Sequence, residues 1–220
     1  MVTFRPTGHS AFATGNTCST PEACPAPSQP DCCTDDCYTK EQALDALMKA
    51  ENSKKDAREN FLFIKSNMKP GETWKQGTEE FLRLLEAESN TNTSAIQMDF
   101  RTIGDSIRPG ESRNAVTSQF LRMYQLESPA SDSAGVRSAF TAVAKSLKNG
   151  ETREEATEQY ARIRKAENRT SDAEENYLLV NQYVSEKEQR PCETSQFIRI
   201  LERLGNNETT QAQADFKLIH

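Results

Sequence analysis

No run of about 18 apolar residues occurs anywhere in this chain, so the sequence offers no membrane-spanning helix. Histidine is reduced to His9 and His220, both near a terminus, which leaves a cysteine nucleophile without an imidazole base in the body of the chain. The phosphate-cradling Gly-x-x-x-x-Gly-Lys-Ser/Thr, the dinucleotide Gly-x-Gly-x-x-Gly, the zinc-protease His-Glu-x-x-His and the hydrolase Gly-x-Ser-x-Gly are all missing. Apolar side chains are scarce as well: they make up 35% of 220 residues, with a mean hydropathy of -0.78. So few must be placed efficiently, which favours thin helical layers over a thick sheet core. Clusters of one charge sign are absent too, because 27 Lys and Arg residues interleave with 33 Asp and Glu, for a net charge of -6 and a pI near 5.2. A nucleic-acid-binding protein gathers positive charge on one face, so nucleic acid is not an expected partner.

The N-terminus lacks the apolar core of a classical signal peptide. Residues 1–20 contain no acidic residue and are rich in Ser, Thr, Gly and Asn. That composition resembles the polar, unfolded leader of effectors exported by bacterial type III secretion systems. The resemblance implies delivery into a host cell without a signal peptide; an ordinary disordered terminus of a cytoplasmic protein shares the composition. Cys18, Cys24, Cys32, Cys33 and Cys37 follow, interrupted by Pro21, Pro25, Pro27 and Pro30, so regular helix is excluded over the leader, residues 1–37. Their spacing contains no Cys-x2-Cys knuckle of the kind a zinc site favours. With His9 they are the only candidate metal ligands; disulfides or free thiols on a flexible tail are the other readings, and no cofactor is expected.

From Tyr38 onward proline becomes rare and one pattern repeats. The apolar stripe Ala57, Phe61, Ile64, Met68 recurs as Ile96, Phe100, Ile103, Ile107, then as Val136, Phe140, Val143, Leu147, then as Ala173, Tyr177, Val180, Val184. It begins once more at Ala212, Phe216, Ile219. Steps of four, three and four trace a single face of a helix. The aromatic marker gives intervals of 39, 40, 37 and 39 residues. A second helix per unit is registered by Leu44, Phe81, Phe120, Tyr160 and Phe197. Capping boxes are read at Thr39 to Gln42, Thr73 to Gln76, Thr152 to Glu155 and, on a second helix, Ser171 to Glu174. Gly71, Gly110 and Gly150 mark where one hairpin stops and the next begins.

The expected fold is all-α: an irregular leader, then five αα hairpins over 38–220, ten helices in all, with units near 38–69, 70–108, 109–148, 149–185 and 186–220. Stacked hairpins would bury the stripe that one hairpin exposes, giving a right-handed α-solenoid-like array. The period lies in the range of HEAT and armadillo-like repeats, a likeness of architecture without those families' sequence signatures. The last stripe ends one residue after its third position, Ile219, with the fourth expected at about 223, which leaves two expectations open: a short closing helix, or a longer protein.

Candidate sites fall into two kinds. Arg83, Arg122, Arg162 and Arg199 hold one place in successive helices, where they either line a partner-binding face or pair with Glu88, Glu127 and Glu167 to hold neighbouring units together. Glu72, Glu111 and Glu151 read as acids placed at helix N-termini. Function is sought where the copies disagree. Trp74 stands where other units carry Arg113 and Arg153, and either anchors a partner or packs on its own loop. Cys192 opens a helix after the irregular turn Ser185 to Pro191, a place that can activate a thiol. No catalytic residue is assigned. Acceptor-like tripeptides at Asn92, Asn168 and Asn207 fall at helix starts, where such residues serve as caps. The functional expectation is a monomeric, non-enzymatic scaffold that binds a protein partner, in the setting of a secreted effector; the alternative is the N-terminal scaffold of a longer enzyme.

Overall fold

A computed structural model describes residues 38–88, 93–127, 133–167, 169–205 and 208–220. The chain divides into Met1–Cys37 and Tyr38–His220, and every described residue belongs to the second. The leader cysteines, His9 and the asparagines at 92, 168 and 207 lie outside the described residues. Among the described residues there are ten α-helices and no strand. They are α1 (Lys40–Ala50), α2 (Lys54–Asn67), α3 (Trp74–Ala87), α4 (Thr93–Ser106), α5 (Arg113–Glu127), α6 (Ser133–Ser146), α7 (Arg153–Ala166), α8 (Thr170–Gln182), α9 (Arg190–Leu204) and α10 (Thr209–Ile219). A single 3-10 turn, Lys187–Gln189, precedes α9.

Local chemistry explains several helix starts. Thr39, Thr73 and Thr152 each accept a hydrogen bond from the N–H three residues on, while Gln42, Gln76 or Glu155 reaches back to the cap's own N–H. The box expected at Ser171 does not form. Helix α8 already begins at Thr170, with Arg169 at the cap position and no side-chain cap bond, and the Ser171 hydroxyl turns to Asp172 instead. The turns Lys69–Glu72, Arg108–Glu111 and Lys148–Glu151 are closed by a backbone bond from the glutamate N–H to the first carbonyl. Their glycines have φ of +88° at Gly71, +88° at Gly110 and +72° at Gly150, the left-handed conformation that a turn of this kind demands.

Each odd-numbered helix packs on the even-numbered helix that follows it, and like packs on like along the chain: α1 on α3, α3 on α5, α5 on α7, α7 on α9, and correspondingly α2 through α10. This packing is consistent with a helical repeat array. The core is one continuous cluster running through all the pairs, carried by Phe81, Phe100, Phe120, Phe140, Tyr160, Tyr177, Phe197 and Phe216, each buried. Edge-to-face ring pairs join Phe81 to Phe100, Phe120 to Phe140 and Tyr160 to Tyr177 within the helix pairs.

The first helix corrects one register. Leu44 is only half-buried and Leu47 fully buried, so Leu47 is the counterpart of Phe81. Counting from the caps shows why: Leu47 follows Thr39 at the distance Phe81 follows Thr73, Phe120 follows Ser112 and Tyr160 follows Thr152. Apolar type alone cannot separate Leu44 from Leu47, which lie one turn apart on the same side of the helix.

Candidate interaction surface

The polar residues of the turns form internal clasps. Glu72, Glu111 and Glu151 do more than sit at helix N-termini. Each accepts a bond from the backbone N–H of its own turn, at Lys69, Arg108 or Lys148, and then receives an arginine from the first position of the odd-numbered helix one pair beyond the helix its turn opens. Arg113 Nε lies 2.9 Å from Glu72 Oε1, Arg153 Nη2 2.7 Å from Glu111 Oε2, and Arg190 Nε 2.5 Å from Glu151 Oε1. The same guanidinium groups donate to carbonyls of preceding even-numbered helices: Arg113 to those of Asn67 and Phe100, Arg153 to that of Ser106, Arg190 to that of Ser146. Each also lies over the aromatic ring of the preceding helix, 4.1 Å above Phe100, 5.3 Å from Phe140 and 5.2 Å from Tyr177. One side chain thus ties a turn, a helix C-terminus and a core ring together. Gly104 leaves room for it, since a Cβ there would meet Arg113 Nη1 at 3.0 Å. Burial alone would raise the Glu111 carboxyl, but the Arg153 bond and the Arg108 N–H outweigh it and hold Glu111 below its ordinary range.

Trp74 now has an explanation. It occupies the clasp position of α3 and stacks face to face on Phe61, with 4.6 Å between centroids and 3° between planes, as Arg113 lies over Phe100. Where the later caps are preceded by the glutamate, the Thr39 cap is preceded by Tyr38. Arginine without its glutamate would leave a charge at a half-buried site, so both halves of the ion pair are replaced together. Trp74→Ala is expected to lower stability by about 1–3 kcal/mol, from lost apolar burial and ring stacking; a urea melt followed by circular dichroism measures it, and a loss near zero would contradict the stacking role.

The arginine ladder joins successive odd-numbered helices, through partners other than those expected. Arg83 bonds Glu80 and reaches Ser118 on α5; Arg122 pairs with Glu158 on α7; Arg162 bonds Gln159 and reaches Ser195 on α9. Arg199 on α9 has no side-chain partner among the described residues. The glutamates five positions on are turned elsewhere. Glu127 accepts from Tyr160 and Arg164, and Glu167 from Asn176 and Thr209. A residue five positions away lies on a different side of the helix, which is why those pairings fail.

A second polar row runs along the opposite ends of the helices. Glu51 bonds Asn60, which bonds Gln97; Glu167 bonds Asn176, which bonds Gln213. In the copy between, Glu88 meets Asp99, and Asp99 takes Arg137 at 2.6 Å. Burial first, then the bond and charge of Asp99, push Glu88 up from its ordinary 4.5 to about 9, so its carboxyl stays protonated and supplies the donor that the asparagine amide supplies elsewhere. A proton bound more tightly in the folded state stabilises fully below 4.5, and that contribution is lost as pH rises through about 9. Glu88→Gln keeps a donor without a titration. The difference in melting temperature between variant and parent is therefore expected to grow in the variant's favour as pH rises over this window, and a constant difference would refute the shared proton.

Two of the clefts over this framework border residues singled out from the sequence. One, of about 710 Å³, lies where the turn before α9 departs from the Gly-Glu pattern, and is lined by Arg122, Glu154, Glu155, Glu158, Lys187 and Glu188 among others. The other, of about 650 Å³, lies on α9 and α10 and contains Cys192, Arg199, Ile200, Leu204, Asp215 and Ile219. The sequence candidates are thus separated: Arg122 borders the first cleft, Arg199 and Cys192 the second, and Trp74, Arg83 and Arg162 neither. Cys192 is an exposed free thiol in the first turn of α9. Among the described residues no three His, Cys, Asp or Glu side chains converge to hold a metal ion, and no helix is long and apolar enough to cross a membrane. Comparison of the chain with protein-family models, curated proteins and solved structures finds no match.

Proposed function

We propose that residues 38–220 form a five-unit αα-hairpin array of α-solenoid type that serves as a non-catalytic scaffold for a protein partner, held in the cleft between α5, α7 and the turn before α9. The observation that carries this reading is the cleft itself, at the one inter-hairpin turn whose sequence breaks the repeat. Within it Arg122 is spent on Glu158, Glu155 on the Thr152 cap and Glu151 on Arg190, whereas Glu154 and Glu188 are exposed. The spare charge is acidic, apart from Lys187, and it suits a basic segment of a partner. A cleft of this kind needs no chemistry of its own: it needs rigid walls, which the clasps beneath it supply.

The test is capture of partners by the immobilised full chain, in parallel with Glu154→Lys/Glu188→Lys and with Lys55→Glu, an exposed change on α2. A partner held by the parent and by Lys55→Glu, but lost from the double variant and released by salt, supports the cleft. Retention of the same partner by the double variant would reject it.

A further inference from the structure

The two ends of the helical stack are chemically matched to each other, and we infer that the chain associates head to tail, the α9/α10 face of one copy receiving the α1/α2 face of a second. The cleft on α9 and α10 is the surface that every earlier helix pair uses to hold its successor. Ile200 corresponds to Leu84, Met123 and Ile163, and Ile219 to Ile64, Ile103, Val143 and Val180, and all these counterparts are at most 1% exposed. Ile219 is 52% exposed and Leu204 36%. On the facing end, Leu44 stands half-buried where Thr78, Thr117, Thr157 and Thr194 are buried against a preceding helix, so an apolar side chain occupies a contact position there.

Charge decides the occupant. Three kinds of side-chain pair join neighbours inside the stack, and extending each by one repeat beyond α10 lands on a residue of the α1/α2 face. The clasp of Glu72 to Arg113, Glu111 to Arg153 and Glu151 to Arg190 continues as Glu188 to Lys40, the residue after the Thr39 cap. The ladder of Arg83 to Ser118, Arg122 to Glu158 and Arg162 to Ser195 continues as Arg199 to Asp45. The row of Asn60 to Gln97, Asp99 to Arg137 and Asn176 to Gln213 continues as Asp215 to Arg58. All three continuations join opposite charges. Glu188, Arg199, Lys40, Asp45 and Arg58 are exposed, so each is available to a second copy. The interface is heterologous, one end against the other, so it propagates into linear oligomers instead of closing as a symmetric dimer.

Sedimentation velocity on the full chain over a concentration series tests this, using the charge reversals Arg199→Asp and Asp45→Arg. The parent is expected to form concentration-dependent linear oligomers that dissociate as salt rises. Either reversal alone sets like charges opposite each other and should weaken association about tenfold or more. An equimolar mixture restores it, because the carboxylate introduced at position 199 of one variant then meets the guanidinium introduced at position 45 of the other. A parent that stays monomeric at its solubility limit overturns the inference, as does association that neither reversal weakens or a mixture that fails to recover it. If either reversal perturbs the helical circular dichroism, Glu188→Lys and Lys40→Glu repeat the experiment at an independent pair with the same criteria.

Discussion

Arg190→Ala is expected to destabilise the protein by about 3–5 kcal/mol, the usual consequence of removing one partner of a buried ion pair. Arg190 is fully buried, and four of its interactions vanish at once: two bonds to Glu151, one to the Ser146 carbonyl and one to Asn181 Oδ1. The loss is not the sum of those bonds. It is dominated by leaving the Glu151 carboxylate, itself 6% exposed, without a counter-charge. A urea melt should therefore show a lower midpoint. Hydrogen exchange should show α9 and α10 opening first, because this clasp joins them to α7 and α8. The double change Glu151→Met/Arg190→Met removes both charges and should cost clearly less than Arg190→Ala. If the single variant lost under about 1 kcal/mol, the clasps would have to be regarded as ornaments of a core that is stable without them.

The second large effect is expected at Phe100→Ala, about 3–5 kcal/mol for deletion of a buried aromatic ring. Phe100 is completely buried, meets Phe81 at 5.5 Å and Phe63 at 6.2 Å between centroids, and carries the Arg113 guanidinium on its face. Two kinds of stabilisation therefore fall together: apolar burial and the seat of a clasp. Phe100→Leu keeps much of the volume but not the ring face, so the gap between the Leu and Ala variants separates the two. Thermal or urea denaturation of both variants checks this. Equal losses would mean that the ring face carries most of the effect, and a Leu variant as stable as the parent would mean that it contributes little.

Much of the fold was legible before any coordinates. The stripes at Phe61, Phe100, Phe140, Tyr177 and Phe216 give the even-numbered helices, because a helix that must hide one face writes its period into the sequence. The Thr caps and the glycine turns give the starts and stops, since these depend on residues within four positions of each other. Where only one helix turn separates candidates, as with Leu44 and Leu47, apolar type alone was not enough and the cap supplied the register. Trp74 and the turn before α9 stood out as departures from the repeat. What a departure meant could not be read from its position, for Trp74 is a stacked replacement of a clasp while the turn borders an open cleft.

The helical class, the hairpin succession, the Thr caps and the aromatic core follow from the chain alone, since all of them rest on interactions between near neighbours or on burial of a periodic face. The partners of the charges do not, and they emerge with tertiary packing. Arg113, Arg153 and Arg190 find glutamates 41, 42 and 39 residues away, across the boundary between helix pairs. No local rule selects one glutamate among many at such a distance. The choice follows from which side chains the stacking brings within hydrogen-bond reach and shields from water, where an unpaired charge would be costly.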